Sequence, residues 1–393
     1  MCKKTCLLLT RHSLLPVVIL FLFSITSCQK TSQEDKNTTH VKVFYEEDKY
    51  GGWPANWGIW SWDNEILVGF TKANHKERKS HTFDRETSRN MFARSKDGGQ
   101  TWSIEDGFEH GITEQTVEHR IGELSKPATV LEESIDFSNP NLAFTFRMVD
   151  MYEGPTSFYY SYDRGETWKG AHQLNIDFGS KKPAGIVSRT DYVIDGKHAM
   201  TAFLTVGFIE GDTNWREVAC VRTLDGGLTW KLVSWIGPEK INSIMPSSIR
   251  LDESNILTMI RRTKPPEMVA FASEDNGSQW KQLNNPVKMD SSGNPPALLK
   301  LKDGRLCLVY GIRESETMQD GIGMYVVYSS DNGQSWSTPK LLRGKDGAVW
   351  DIGYPRSIEL PNGNLVAIYY YNNADADDKN RYIAATIFNP KND

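Results

Sequence analysis

The octapeptide "SKDGGQTW" (95–102) returns four times along the chain, as "SYDRGETW" (161–168), "TLDGGLTW" (223–230), "SEDNGSQW" (273–280) and "SSDNGQSW" (329–336). The shared pattern is Ser/Thr-x-Asp-x-Gly-x-Thr-Trp, loosened to Gln279 and Ser335 in the last two copies. Asp bonds to backbone amides ahead of it and Gly takes a positive φ, so each copy reads as a tight turn. A strand-like run precedes every copy: "NMFAR", "SFYYS", "EVACVR", "MVAFAS" and "MYVVYS". Each unit is therefore expected to be a β-hairpin whose turn is bonded by its own side chains and covered by its Trp. One dependable carboxylate per copy is a poor ligand set for calcium, and no metal is expected.

Working outward, a second hairpin precedes each unit: "GIWSWDNEILVGFT", "ATVLEESIDFSNPNLAFTFR", "GIVSRTDYVIDGKHAMTAFLTV", "SSIRLDESNILTMIRR" and "ALLKLKDGRLCLVYGIR". Four strands thus recur with 66, 62, 50 and 56 residues between successive turns, the period of propeller blades. A sixth copy, "RSIELPNGNLVAIYYY" (356–371), is followed only by "RYIAATIF" and lacks a fourth strand. The run "HVKVFYEE" (40–47) is a strand without a hairpin of its own. These two gaps fill each other. The expectation is an all-β, six-bladed β-propeller over 40–393, its last blade closed by the N-terminal strand.

Charge is mixed in sign, −5 overall, and no basic block occurs, which argues against a nucleic-acid partner. Lys3, Lys4 and Arg11 precede the apolar run "LLPVVILFLF" (14–23), too short for a comfortable membrane span. It ends in "ITSC", which resembles a bacterial lipobox. Residues 1–27 are then expected to be a lipoprotein signal peptide, Cys28 the lipidation site, and the polar stretch 28–39 a flexible tether. Loss of 1–27 removes three positive charges and no acids, taking the formal charge from −5 to −8. The expected product is a monomer held to a membrane by lipid, in the periplasm or at the cell surface. Beyond Cys28 only Cys220 and Cys307 remain, too few for a disulfide framework and too scattered for zinc. No cofactor is expected.

The repeats look like Asp boxes, and five of them in a six-blade pattern resemble the sialidase superfamily over nearly all of 40–390. That resemblance implies that the boxes lie on the outer rim, away from the active site, and that they hold blades together. In an up-and-down blade the opposite face is built by the segments ahead of each first strand and by the loops between strands two and three. Those segments are rich in Arg, Lys, Trp, Tyr, His and Asp: "YGGWPANW", "TKANHKERKSHTFDRE", "RMVDMYEG", "RRTKPPE", "GIRESETMQDG", "WDIGYPR". A pocket at the propeller mouth would use them.

Sialidase-like enzymes use a Tyr nucleophile assisted by Glu, an Asp acid/base, and three Arg that clamp the sugar carboxylate. By that resemblance Tyr354 in "DIGYPRS" stands where the nucleophile is expected, and Arg261 or Arg262 matches one clamping Arg. Asp84 is the single Asp of the loop 72–86 that would hold the acid/base, with His75 and His81 as neighbours able to do the same work. Arg147, Arg313, Arg120 and Arg356 are further candidates for the clamp, and Trp53 and Lys72 for sugar contacts. Three positions depart from the family pattern. Gly52-Trp53-Pro54 replaces the opening Arg-Ile-Pro, Met245 stands where the assisting Glu falls, and Asn294 where another Arg is expected. The expected function is an exo-acting glycoside hydrolase releasing a terminal, acidic sugar from cell-surface glycans. Two alternatives stay open: a polysaccharide lyase acting on uronic-acid glycans, and a non-catalytic glycan-binding protein using Trp53, Trp57 and Trp350 as stacking platforms.

Overall fold

The computed structural model describes residues 38–79, 81–112, 127–289, 294–313, 321–344, 346–347, 350–373 and 380–392. The leader, Cys28 and Arg120 lie outside them. Within them the repeats form six sheets, arranged as the blades of a six-bladed propeller. Blade six shows how the ring closes. Gly353–Glu359, Leu365–Tyr371 and Tyr382–Phe388 run from the centre outward, and Thr39–Phe44 adds the outermost strand. Thr39 stands opposite Ile387 and Val41 opposite Ala385, with a register shift between Lys42 and Phe44.

Middle strands are apolar along their whole length because they are covered on both faces by neighbouring blades. Leu306–Ile312 ("LCLVYGI") and Leu365–Tyr371 ("LVAIYYY") are buried throughout. The hydrophobic clusters accordingly sit between blades. Leu257 and Met259 of blade four, for example, meet Leu306, Leu308 and Tyr310 of blade five. Cys220 and Cys307 are both buried within such clusters.

The repeated turns make the bonds their spelling implies. In the first, Ser95 Oγ accepts from Gly99 N at 2.8 Å, and Asp97 accepts from Thr101 N at 2.9 Å and Thr101 Oγ1 at 2.5 Å. Residues 161–167, 223–229 and 329–335 repeat the set. In the fourth copy Gln279 offers only its backbone amide to Asp275. The Gly at the fifth position of each box does more than turn the chain. Gly165 has φ of 83°, and a Cβ there would lie 2.3 Å from Leu67 Cδ2 of blade one. Its counterparts Gly277 and Gly333 approach Cys220 and Leu257 of their preceding blades in the same way. Each box is thus a local turn pressed onto the neighbouring blade.

Blade two departs from the four-strand expectation. Its described strands are Ala143–Met148, Thr156–Ser161 and Lys169–Gln173, and "ATVLEES" does not form an inner strand. Thr129 instead bridges His172 on the outer strand, and Leu131, Ile135 and Phe137 enter the cluster between blades two and three. The alternation that resembled a strand serves to cover the third box, where Ile135 N donates to Gly226 O at 2.9 Å. Among the described residues no helix is long and apolar enough to cross a membrane.

Candidate active site

Strand register fixes which end of each blade bears which chemistry. In blade four Ser273, opening a box, pairs with Ile256, while Arg262 at the other end of the same strand pairs with Ser243. Boxes and mouth therefore lie at opposite ends. At the mouth, three bulky residues each precede a proline in left-handed backbone: Trp53 (φ 59°), Met245 (φ 55°) and Tyr354 (φ 55°). That region is costly for a bulky side chain and is held only where the surroundings over-determine it. For Tyr354 they do. Its backbone N–H donates to Asn294 Oδ1 at 2.8 Å, and Asn294 Nδ2 donates to Ile352 O at 3.2 Å. Gly353 (φ 110°) must lack a Cβ, since one would fall 2.2 Å from Asn294 Oδ1.

Cations surround the Tyr354 ring. Arg261 Nη1 donates to Tyr354 Oη at 3.3 Å and lies 3.6 Å from Met245 Sδ. The Arg313 guanidinium stands 5.2 Å from the Tyr354 ring centre, with Nη2 bonded to Tyr370 Oη at 2.7 Å and Nε to Ile352 O at 3.1 Å. Arg189, buried like the other two, donates through Nε to Asn56 Oδ1. Burial alone would raise the Tyr354 pKa. The charges of Arg261, Arg313, Arg189 and His81 outweigh it and bring the phenol down to about 7. Burial, reinforced by Arg261, Arg216 and Arg356, lowers the Arg189 pKa to about 10. Arg261 is likewise lowered, by burial first and then by Arg313. Arg313 moves the other way despite its burial, because Tyr370, Tyr354 and Asp351 favour its charge.

Behind this cluster lies Asp351, 1% exposed. Its Oδ1 accepts from Tyr370 Oη at 2.6 Å and from His81 Nδ1 at 2.7 Å, and Tyr50 Oη donates to Oδ2 at 3.4 Å. Burial disfavours the carboxylate, yet the His81 and Tyr370 bonds and the Arg313 charge hold its pKa below the usual range. A cavity of about 370 Å³ is lined among others by Trp53, Asn56, Trp57, His81, Phe83, Arg147, Arg189 and Tyr354, with Arg261, Arg313 and Asp351 outside its lining. A depression of about 400 Å³ between blades one and six lies at the box end and is lined by Asn64, Asp97, Asn362 and Asn364. It has neither an arginine nor an aromatic side chain among its lining residues.

The residues expected from sequence divide accordingly. Tyr354, Arg261, Arg313, His81 and Trp53 converge on one place. Arg147 reaches the cavity wall, stacked over Trp57 and bonded to Asn90 Oδ1 at 2.8 Å. Arg262 alternates to the other face of its strand, 3.2 Å from Glu267 and packed near Phe271. Lys72 pairs with Glu46. The Asp84 carboxylate lies 3.3 Å from Lys76 Nζ, and Asp84 is absent from the cavity lining between its neighbours Phe83 and Arg85. Arg356 donates to Ala55 O at 2.6 Å and to Thr190 O, bracing the ring centre. Arg189 and Asp351 escaped the sequence reading. Arg189 sits inside a run that reads as strand, and Asp351 in a segment where Tyr354 carried the signal.

Residues 139–367 match the BNR repeat-like domain. Among solved structures, a Dyadobacter fermentans protein of unknown function is 18% identical, with a TM-score of 0.66 over 90% of this chain and 99% of that one. A sialidase from Streptococcus pneumoniae is 13% identical, with a TM-score of 0.56 over 89% of this chain and 70% of the other. A Hadza microbial sialidase is also 13% identical, with a TM-score of 0.58 over 91% and 67%. No curated protein matches the sequence. With more than half its length inside the matched domain, this chain belongs to the BNR repeat-like family and is built as a sialidase-like six-bladed propeller.

Proposed function

We propose that the chain is an exo-acting glycoside hydrolase that releases a terminal acidic sugar from glycans. The observation that carries this reading is the gathering of Arg189, Arg261 and Arg313 about Tyr354, with Arg261 bonded to its hydroxyl and Tyr354 and Arg189 lining an open cavity. Guanidinium groups grip a carboxylate through charge-assisted, often paired bonds. A carboxylate on the anomeric carbon would repel an anionic carboxylate nucleophile, whereas a phenol spreads its charge over a ring. Here Met245 occupies the place where a base would assist the tyrosine, so activation falls to the arginines. They favour the phenolate at neutral pH without a proton acceptor beside it.

The same substitutions argue about the substrate. With Gly52, Met245 and Asn294 at three positions that handle sialic acid in the family, simple sialosides should be poor substrates and another acidic sugar preferred. Lipidation at Cys28, with placement in the periplasm or at the cell surface, is part of the same proposal and would bring the enzyme to such glycans. The test is a release assay on a broad panel of acidic and neutral glycans, read by mass spectrometry, with Tyr354→Phe alongside. The reading expects a free monosaccharide from wild type and none from the variant at unchanged melting temperature. Efficient release from plain sialyl-lactose would overturn the substrate assignment. An unsaturated, ultraviolet-absorbing product that lacks the mass of water would show elimination instead, and tight binding without any product a lectin-like role.

A further inference from the structure

A glycosidic bond to a sugar alcohol does not break at a useful rate unless the departing oxygen receives a proton. Asp84, the expected donor, is engaged by Lys76 and does not line the cavity. His75 lies 3.5 Å from Glu77 and is also absent from the lining. His81 does line it, with its ring edge-on to Trp53 at 5.2 Å. Its Nδ1 is taken by the buried Asp351 carboxylate at 2.7 Å, with Tyr50 Oη at 3.3 Å. A carboxylate at that distance accepts a proton-bearing nitrogen, so Nδ1–H is the tautomer this network selects. Nε2 makes no hydrogen bond to any described residue and is the nitrogen available to the cavity.

We infer that His81, oriented by Asp351, is the proton-transfer residue of this site. The inference rests on the hydrolase reading above. In the first step Tyr354 Oη bonds to the anomeric carbon as the bond from that carbon to the aglycone oxygen breaks. The imidazolium of His81 passes its Nε2 proton to that oxygen. In the second step neutral His81 takes a proton from water, whose oxygen displaces Tyr354 and restores phenolate and imidazolium. Asp351 stays ionised throughout and acts as a positioning residue. It holds the ring through Nδ1 and aims Nε2 at the cavity without touching the sugar.

The experiment compares wild type, His81→Asn, His81→Gln and Asp351→Asn on paired methyl and 4-nitrophenyl glycosides of glucuronic, galacturonic and N-acetylneuraminic acids. Asn at 81 keeps an amide donor for Asp351 while deleting Nε2, so it preserves the buried bond. Gln provides a second route should Asn fail to fold. The inference expects either variant to lose about 10²–10⁴-fold in kcat/KM on the cleaved methyl glycoside. The 4-nitrophenyl partner, whose leaving group needs no proton, should lose less than about tenfold, and added azide should restore turnover by forming the glycosyl azide. Asp351→Asn should show the same split at smaller size, whereas a merely structural role would lower both substrates together. Equal losses on the two substrates by folded variants, without azide rescue, overturn the assignment of His81 alone. If wild type cleaves none of the pairs, the hydrolase reading falls and this assignment falls with it.

Discussion

At one end of the blades Asp97, Asp163, Asp225, Asp275 and Asp331 each close a turn with their own neighbours two to four residues away. At the other end, the groups around Tyr354 come from five different stretches of chain, with His81 and Asp351 separated by 270 positions. The backbone differs in the same sense. The left-handed position of the boxes is held by Gly98, Arg164, Gly226, Asn276 and Asn332, residues that adopt it cheaply apart from Arg164. At the mouth it is held by Trp53, Met245 and Tyr354, where strain of roughly 1–3 kcal/mol each must be offset by the surrounding packing. Electrostatics divide likewise: the box carboxylates are shifted by hydrogen bonds at the surface, the mouth groups by burial and by one another. One end spends no stability on chemistry, and the other stores it there. Damage to the first should therefore appear as lost stability, and damage to the second as lost turnover.

The largest effect should come from the strand on which both ends depend. Deleting Thr39–Phe44 uncovers the edge of Tyr382–Phe388 and strips Val43 and Phe44 from the core between blades six and one. Those two side chains alone are worth about 3–6 kcal/mol. Melting by calorimetry should fall by roughly 4–8 degrees from these two side chains alone, whereas removal of 29–37 should leave it unchanged. Equal melting of the two truncations would mean that the ring closes without this strand.

Next in size, Arg261→Met should act on chemistry alone. The tyrosine pKa is lowered to about 7 by its cations, so the phenolate, and with it the acid limb of the kcat/KM profile, rises as pH increases through that value. Removing one cation moves the rise upward, and kcat/KM at pH 7 should fall by about tenfold or more with melting nearly constant. An unmoved pH profile would take Tyr354 ionisation out of the rate. Smaller again, Asp163→Ala deletes the acceptor of Thr167 N and Thr167 Oγ1 and should lower stability by about 1–2 kcal/mol, with full specific activity of the folded fraction. Selective loss of turnover there would reverse the assignment of the two ends.

The smallest effect is the acid limb of stability. Hydrogen bonds from Thr101 and Ser95 outweigh burial at Asp97, and bonds from Ser335 and Ser329 act on Asp331, lowering both pKa values to about 2. Because the folded pKa is depressed, this stabilisation is complete above the ordinary carboxylate range near 3.9 and is lost as pH falls toward about 2. Replacing Ser95 and Ser329 by Ala should lower the melting temperature at neutral pH and leave a smaller further fall on acidification, the two curves converging toward pH 2. An identical acid profile would show that the boxes contribute nothing through these charges.

What could be read from the sequence follows the same division. The box was legible because its bonds are local: Ser95, Asp97, Gly99 and Thr101 reveal themselves by spacing, five times over. Closure of blade six was legible because a strand without a partner and a blade without a fourth strand appear together. The mouth was legible only where a local feature marked it, as Tyr354 was by its place at the start of the last blade. Choosing between Arg261 and Arg262 needed the strand register, which sends adjacent side chains to opposite faces. Arg189 lay hidden in "VSRTD", apolar and polar in alternation, and Asp351 acquired its importance from Tyr50, His81 and Tyr370, which reach it from elsewhere in the chain. In blade two, "ATVLEES" has the rhythm of a strand, yet its apolar side chains cover a box.

The pairing of Thr39–Phe44 with Tyr382–Phe388 also sets a timetable. The first strand among the described residues acquires its partner last, after roughly 340 further residues, which at about 5–20 residues per second is a wait of roughly 20–70 s. Through that interval two open sheet edges face whatever else is nearby, and each finished blade stands beside an unclosed circle. Chaperoning, or holding the chain extended until it is whole, matters more for this ring than for a bundle whose neighbours in space are neighbours in sequence. Covalently joining the present ends and reopening the chain between two blades, ahead of a first strand such as Ser243–Arg250, would give every blade its strands in order, and would abolish the wait.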